Sequence, residues 1–180
     1  MDCQTLLEKR RSVREYNSDK KVSKEEIVEI VKAVQNAPSW KNSQTARYHI
    51  VLSEDKVEKL REECLPDFNQ NSTKGAAGYL VATYKKNMSG FNIHTGEPVN
   101  ELGNSWGCYD LGLSNAAFIL MAKEKGIDTL IMGIRDEKKI REMLEIPEEE
   151  IITAVIAFGY SDIVAEKRPR KELDEILKFY

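Results

Sequence analysis

Apolar positions change their spacing several times along the chain, and each change marks an element. Ser23-Lys24-Glu25-Glu26 has the form of a capping box, in which a serine oxygen and a glutamate carboxylate satisfy each other's free backbone donors. Ile27, Ile30, Val31 and Val34 follow at helical spacing, and Pro38 lies at or beyond the helix end. Tyr48 to Leu52 reads as a short strand, and Ser53 can cap a following helix that carries Val57 and Leu60 on one side. The small and β-branched run within Gly75 to Tyr84 predicts a buried strand. Asp110 is expected to open the most hydrophobic helix, which runs through Ala116, Phe118, Ile119, Leu120 and Met121 to a stop at Gly126. Asp128 to Met132 is a further strand, Asp136 caps a helix burying Ile140, Met143 and Leu144, and Ile151 to Tyr160 is the strongest strand signal. Lys167 onward reads as a terminal helix or arm.

Between the second strand and the hydrophobic helix the pattern breaks down. Residues 85–108 hold Gly90, Gly96, Pro98, Gly103 and Gly107 beside Met88, Phe91 and Trp106, which predicts a mobile or partly helical excursion. No repeat, low-complexity tract or Gly/Ser linker divides the chain, so residues 1–180 read as one mixed α and β domain. A chain of 180 residues with 41% hydrophobic and 32% charged residues buries enough surface to fold without disulfides or a structural metal. Cys3, Cys64 and Cys108 are scattered and odd in number, which predicts reduced thiols acting as small apolar fillers. The longest apolar stretch, Ala116 to Ala122, is far short of the ~20 residues of a membrane span. The first residues lack a basic-then-apolar signal order, so the expected location is cytoplasmic.

The net charge of −3 conceals an uneven distribution. Lys9, Arg10, Arg11 and Arg14 form one basic cluster, and Lys167, Arg168, Arg170 and Lys171 form another. Outside those eight, 19 basic residues face 30 acidic ones. A nucleic-acid binder raises the pI of its whole domain, whereas this one is about 5.6, so the balance points away from nucleic acid and toward a small anionic ligand. Three guanidiniums and a hydroxyl within Arg10 to Arg14 suit a phosphate or carboxylate clamp, although a solvated helix end has the same composition. The polar turn Ala37-Pro38-Ser39-Trp40-Lys41-Asn42-Ser43-Gln44 carries amides able to read a heterocycle edge. No Gly-x-Gly-x-x-Gly, phosphate loop, Gly-x-Ser-x-Gly elbow or metal-ligand spacing around His49 or His94 is present, so no metal site is expected and the chemistry falls to a cofactor.

Five pieces occur in one order: Arg10-x-Ser12-x-Arg14, the Pro38-Ser39-x-x-Asn42-Ser43-Gln44 turn, Gly133-Ile134-Arg135-Asp136 leading into Arg141-x-x-Leu144-x-Ile146-Pro147, a strand ending Phe158-Gly159-Tyr160, and Arg168-Pro169-Arg170-Lys171. In this the chain resembles the FMN-dependent nitroreductase family over nearly its whole length. The resemblance implies an α+β fold with a mainly antiparallel mixed sheet flanked by helices, in an intertwined homodimer with flavins at the interface. It implies that Arg10, Arg11, Ser12 and Arg14, with Arg168 and Arg170 from a C-terminal arm over residues 165–180, hold the FMN phosphate. Asn42 and Gln44 are implied to bond the isoalloxazine and ribityl chain, with Pro38, Ser39 and Trp40 contributing from the partner subunit. Ile131, Met132 and Gly133 are implied to lie along the flavin.

The implied activity is ping-pong hydride transfer from NADH or NADPH through FMN N5 to a nitroaromatic, a quinone or a similar acceptor, with no catalytic protein residue. A flavin-binding module or sensor without turnover is the alternative. Thr45-Ala46 and Trp40-Lys41 depart from the family pattern, as does Met132 where many members carry an acid. Met88, Phe91, Trp106 and Tyr109 read either as a flat acceptor site or as a packed lid over residues 85–108.

Overall fold

A computed structural model describes all residues, Met1 to Tyr180. The helices are α1 (Cys3–Lys9), α2 (Lys24–Val34), α3 (Glu54–Cys64), α4 (Asp67–Ser72), α5 (Ser105–Glu124), α6 (Glu137–Leu144) and α7 (Leu173–Ile176). The strands are β1 (Ala46–Val51), β2 (Gly78–Lys85), β3 (Asp128–Met132) and β4 (Glu150–Gly159). They form one sheet in the order β1-β2-β4-β3, with every neighbouring pair antiparallel. Alternation along the strands explains the three layers. Tyr79 and Val81 of β2 join Val155 and Ala157 of β4 in a core with Leu60, Cys64 and Ile140 from α3 and α6. Leu80, Ala82, Ile156 and Phe158 face the other way, against Ile27, Ile30 and Val34 of α2 and Leu111, Phe118 and Ala122 of α5. Both central strands are therefore buried on both faces, which is why β2 reads in sequence as a continuous apolar run rather than an alternating one.

The capping box at Ser23 forms as its sequence requires, and Asp136 caps α6 by accepting from the Lys139 amide. Several local expectations need correction. Ser53 occupies the N-cap position of α3 without a side-chain capping bond. Helix α5 begins at Ser105, five residues before Asp110, because Gly107 lets the helix backbone lie against the Tyr84 ring. A Cβ on Gly107 would stand 2.3 Å from Tyr84 Cδ2. Asp110 thus lies inside the helix and is buried. Residues 86–104 form turns rather than helix. They are tied together by a Phe91–Pro98 bridge, by a Trp106 indole bond to Asn100, and by paired bonds between Asn87 and Asn104. No helix is long and apolar enough to cross a membrane.

Of the three cysteines only Cys64 fills the core; Cys3 and Cys108 are exposed, which corrects the reading of all three as apolar filler. None forms a disulfide.

Candidate functional site

Two regions at opposite edges of the sheet carry the residues singled out from sequence. At the β3 edge, the segment after α1 lies alongside the strand. Ser12 bridges Thr129 in parallel, and the Val13 amide donates to the Thr129 carbonyl at 3.0 Å. This fixes Arg10, Arg11, Ser12 and Arg14 beside β3. The C-terminal segment returns to the same place, so that Arg168 and Arg170 join them around a cavity of about 460 Å3, with Ala165 and Glu166 completing the wall. Clusters separated by more than 150 positions thus meet.

Five guanidiniums share that cavity with one carboxylate, Glu166, and none of them forms an ion pair with it. Arg61 and Arg141 are the arginines that pair with carboxylates, and none of the five around the cavity does so. Instead, Arg11 donates to the carbonyls of Glu8 and Arg10, Arg14 to that of Ser12, and Arg170 to those of Arg168 and Pro169. The buried Arg11 Nε has no acceptor at all. Burial, followed by the charges of Arg170 and Arg11, holds the Arg10 pKa below the usual arginine value. Five guanidiniums crowded together without an ion-pair partner are what an anion, and a phosphate in particular, would relieve. At the end of β3, Ile131 is half exposed, Met132 is buried in the core, and Gly133 is exposed with open space where a Cβ would stand. Of these three, Met132 can therefore offer a ligand only its backbone. Asn69 of α4, which sequence reasoning missed, steadies this loop by donating to the Ile134 carbonyl at 3.0 Å.

The second region is the turn before β1. Lys41, Asn42 and Gln44 all have positive φ, at 46°, 55° and 48°. Left-handed backbone in non-glycine residues costs on the order of 1 kcal/mol or more apiece and persists only where its surroundings impose it. Here the surroundings are polar. Ser39 Oγ accepts from the Gln44 amide at 3.0 Å, and Asp110 Oδ2 accepts from the Trp40 amide at 2.9 Å and from Ser89 Oγ at 2.7 Å. Asn42 and Gln44 are exposed, as is Pro38, while Ser39 and Trp40 are half-buried. The Trp40 ring packs on Trp106 at 4.6 Å between centroids, and Trp106 meets Tyr109 edge-on at 5.6 Å. Tyr109 is 60% exposed and offers an open aromatic surface, whereas Trp106 is half-buried. Beside the turn a cavity of about 230 Å3 is lined by Ser39, Gln44, Arg47, Tyr48 and Asp110 among others.

These two regions do not meet within one chain. Ala46 pairs with Tyr84, which is level with Ile151, whereas Ser12 is level with Thr129 and Phe158. Four strand spacings and about six residues of rise put the turn and the arginine cavity on the order of 25 Å apart. That is more than one FMN spans.

The nitroreductase family model matches residues 7–160. The chain belongs to the nitroreductase family. A relative in Archaeoglobus fulgidus, provisionally named NADH dehydrogenase/NAD(P)H nitroreductase, is 29% identical over 163 residues, covering 88% of this chain and 85% of that one. Among solved structures, a nitroreductase from Exiguobacterium sibiricum in complex with FMN superposes with a TM-score of 0.87 at 20% identity, covering 100% of this chain and 98% of that one. An enone reductase of gut-bacterial fatty acid saturation, CLA-ER, superposes at 0.85 with 16% identity, covering 99% and 97%. Both likenesses are of fold, and the fold is the α+β arrangement that the motif order implied.

Proposed function

We propose that the protein is an FMN-dependent NAD(P)H oxidoreductase that works as a homodimer and reduces a flat acceptor such as a nitroaromatic or a quinone. The observation that carries the reading is the convergence of Arg10, Arg11, Arg14, Arg168 and Arg170 on one cavity with no carboxylate partner. A phosphate monoester there would supply the missing counter-charge and an acceptor for Arg11 Nε. The exposed Asn42 and Gln44 amides suit the mixed donor and acceptor edge of an isoalloxazine. Ile131 adds an exposed apolar surface, and Gly133 leaves backbone accessible beside it. The FMN complex of the Exiguobacterium protein and the nucleotide named for the Archaeoglobus relative support the same cofactors.

The separation of the two regions supports the dimer. A second copy that sets its turn against this chain's arginine cavity completes a site that neither copy completes alone. Because Pro38, Ser39, Trp40, Asn42 and Gln44 share one turn, all five would then come from the same copy. The apolar side chains on the outer face support such pairing: Val28, Val31, Tyr48, Ile50 and Leu52 border one open groove, and Leu173, Ile176, Leu177 and Phe179 are exposed on the terminal arm.

Held there, FMN would supply hydride transfer between a nicotinamide and the acceptor. The protein's part is to neutralise the phosphate, orient the ring edge with amides, and offer aromatic surface at Tyr109 for a flat acceptor. The test is the visible spectrum of the purified protein, repeated without oxygen after NADH or NADPH is added. Flavin peaks that bleach support the reading, flavin that fails to bleach leaves a binding module, and a colourless protein that takes up no added FMN refutes it.

A further inference from the structure

Nothing in the sequence motifs gives Asp110 a role beyond opening a helix, yet it is a carboxylate only 3% exposed, inside the most hydrophobic helix of the chain. Its Oδ2 accepts the Trp40 amide at the start of the turn and Ser89 Oγ from residues 85–108, and it lies 3.5 Å from Ser43 Oγ near the turn's end. Ser89, itself buried, is 2.8 Å from Ser43 Oγ and 3.3 Å from Thr45 Oγ1. A serine has one proton, and that of Ser89 is committed to the carboxylate. Thr45 must therefore donate to Ser89, and Ser43 gives its single proton either to Ser89 or directly to Asp110 Oδ2. The result is a directed network in which every hydroxyl proton runs toward Asp110.

We propose that Asp110 is a positioning residue that clamps the strained Ser39–Gln44 turn and so sets the presentation of Asn42 and Gln44 to the flavin, a role that rests on the function proposed above. Two observations converge on it. The three left-handed residues Lys41, Asn42 and Gln44 lie between the two points at which the network grips the turn, Trp40 on one side and Thr45 on the other. A cavity bordered by Ser39, Gln44 and Asp110 opens beside them, so the conformation being held faces open space rather than core. Buried carboxylates are costly unless fully bonded, and strain kept by such a group is characteristic of sites rather than of packing. Through Ser89 the same carboxylate also links the turn to the segment that carries Trp106 and leads to Tyr109.

The full-length protein tests this with Asp110→Ala, Ser89→Ala and Asp110→Asn, each assayed for FMN affinity by flavin fluorescence and for inorganic phosphate binding by 31P line width. Asp110→Ala is expected to weaken FMN about ten- to a hundredfold, and Ser89→Ala, which removes less and keeps the core intact, about threefold to tenfold. Phosphate binding should stay at the wild-type value, because the arginine cavity lies at the far edge of the sheet. Asp110→Asn should recover most of the affinity, since one amide oxygen can accept both the Trp40 and Ser89 bonds.

Hydrogen exchange gives a readout independent of flavin: the Trp40 amide should exchange faster in Asp110→Ala and remain protected in Asp110→Asn. Unchanged FMN affinity in Asp110→Ala and Ser89→Ala together with an unprotected Trp40 amide in the wild type overturns the clamp. Loss of FMN and phosphate binding in parallel overturns it as well, by reducing Asp110 to a general structural residue. A wild-type protein that binds no FMN overturns the function proposed above and the flavin role of the clamp with it. Normal wild-type binding with no loss in any variant overturns the clamp alone.

Discussion

Replacing Arg10 with alanine separates a binding site from a structural one, because the two roles predict opposite signs. Arg10 lines one cavity with Arg11 and Arg170, and their charges, after burial, lower its pKa. Without a ligand it meets repulsion and no carboxylate, so its removal should leave the apoprotein as stable as before, or more stable by up to ~1 kcal/mol. With FMN present it donates to a phosphate, and a charge-assisted hydrogen bond of this kind contributes about 1.5–3 kcal/mol. Kd should therefore rise roughly 10- to 150-fold. Ligand stabilisation follows RT ln(1 + [L]/Kd), and for a chain of this length 1 kcal/mol corresponds to about 2–4 °C in Tm, so the rise in Tm caused by saturating FMN should shrink by about 3–12 °C. The assay is thermal denaturation of wild type and Arg10→Ala, each with and without FMN, at two salt concentrations. A fall in apoprotein Tm with the FMN-induced rise intact would refute the reasoning, since it would make Arg10 a structural cation.

Three further outcomes follow from the packing. Gly107→Ala gains about 1 kcal/mol of helix propensity but drives a methyl into the Tyr84 ring, at a cost of about 1–3 kcal/mol, so chemical denaturation should show net loss, relieved by pairing it with Tyr84→Leu. Burial alone would raise the Glu150 carboxyl pKa, but hydrogen bonds from Thr83 and His49, with the charges of His49 and Arg47, outweigh it and hold the group below the usual glutamate value. The stability Glu150 contributes is thus complete above its unfolded pKa of about 4.5 and is lost as pH falls through the lower folded value; a Tm series across that range should lose this acid limb in Glu150→Gln. Burial, with Asp136 and Glu63 nearby, pushes the Cys64 thiol up to about 11, so mass spectrometry after iodoacetamide should find Cys64 unmodified until the protein is unfolded, unlike exposed Cys3.

What could be read from sequence was whatever is written in local pattern. The capping box at Ser23, the strand Asp128–Met132 and the cap at Asp136 each depend on residues within a few positions of one another, and all form. The arginine cavity was legible for a different reason: like charges cluster in sequence, and two unneutralised clusters in an acidic background imply a common counter-charge. Asp110 was misread because an aspartate ahead of an apolar run is the ordinary sign of a helix start. The extra turn before it depends on Gly107 fitting Tyr84, a contact between residues 23 positions apart on different elements. The Ser43–Ser89–Thr45 hydroxyls were invisible for the same reason, since serine and threonine are common in turns and only the fold brings these three together. The left-handed residues Lys41, Asn42 and Gln44 carry no glycine to announce them. Strain imposed from outside a segment leaves no mark on that segment's own composition.

The distance between the arginine cavity and the turn has a consequence that mixing two variants would expose. Suppose one variant lacks the cavity, through Arg10→Ala with Arg168→Ala, and another lacks the ring contacts, through Asn42→Ala with Gln44→Ala. Alone, each homodimer has two damaged sites. If one chain supplied both regions to its own flavin, unfolding and refolding the two together would recover nothing, because every site would still carry one defect. If each site joins the cavity of one copy to the turn of the other, a mixed dimer places both defects in one site and none in the other, as two-fold symmetry requires. Random association makes half of the dimers mixed, so about one quarter of all sites should regain wild-type FMN affinity. A biphasic FMN titration with a tight phase of that amplitude is the expected result. A single weak phase would mean that each chain binds its flavin alone, and it would require a gap of about 25 Å to close against the strand register of this sheet.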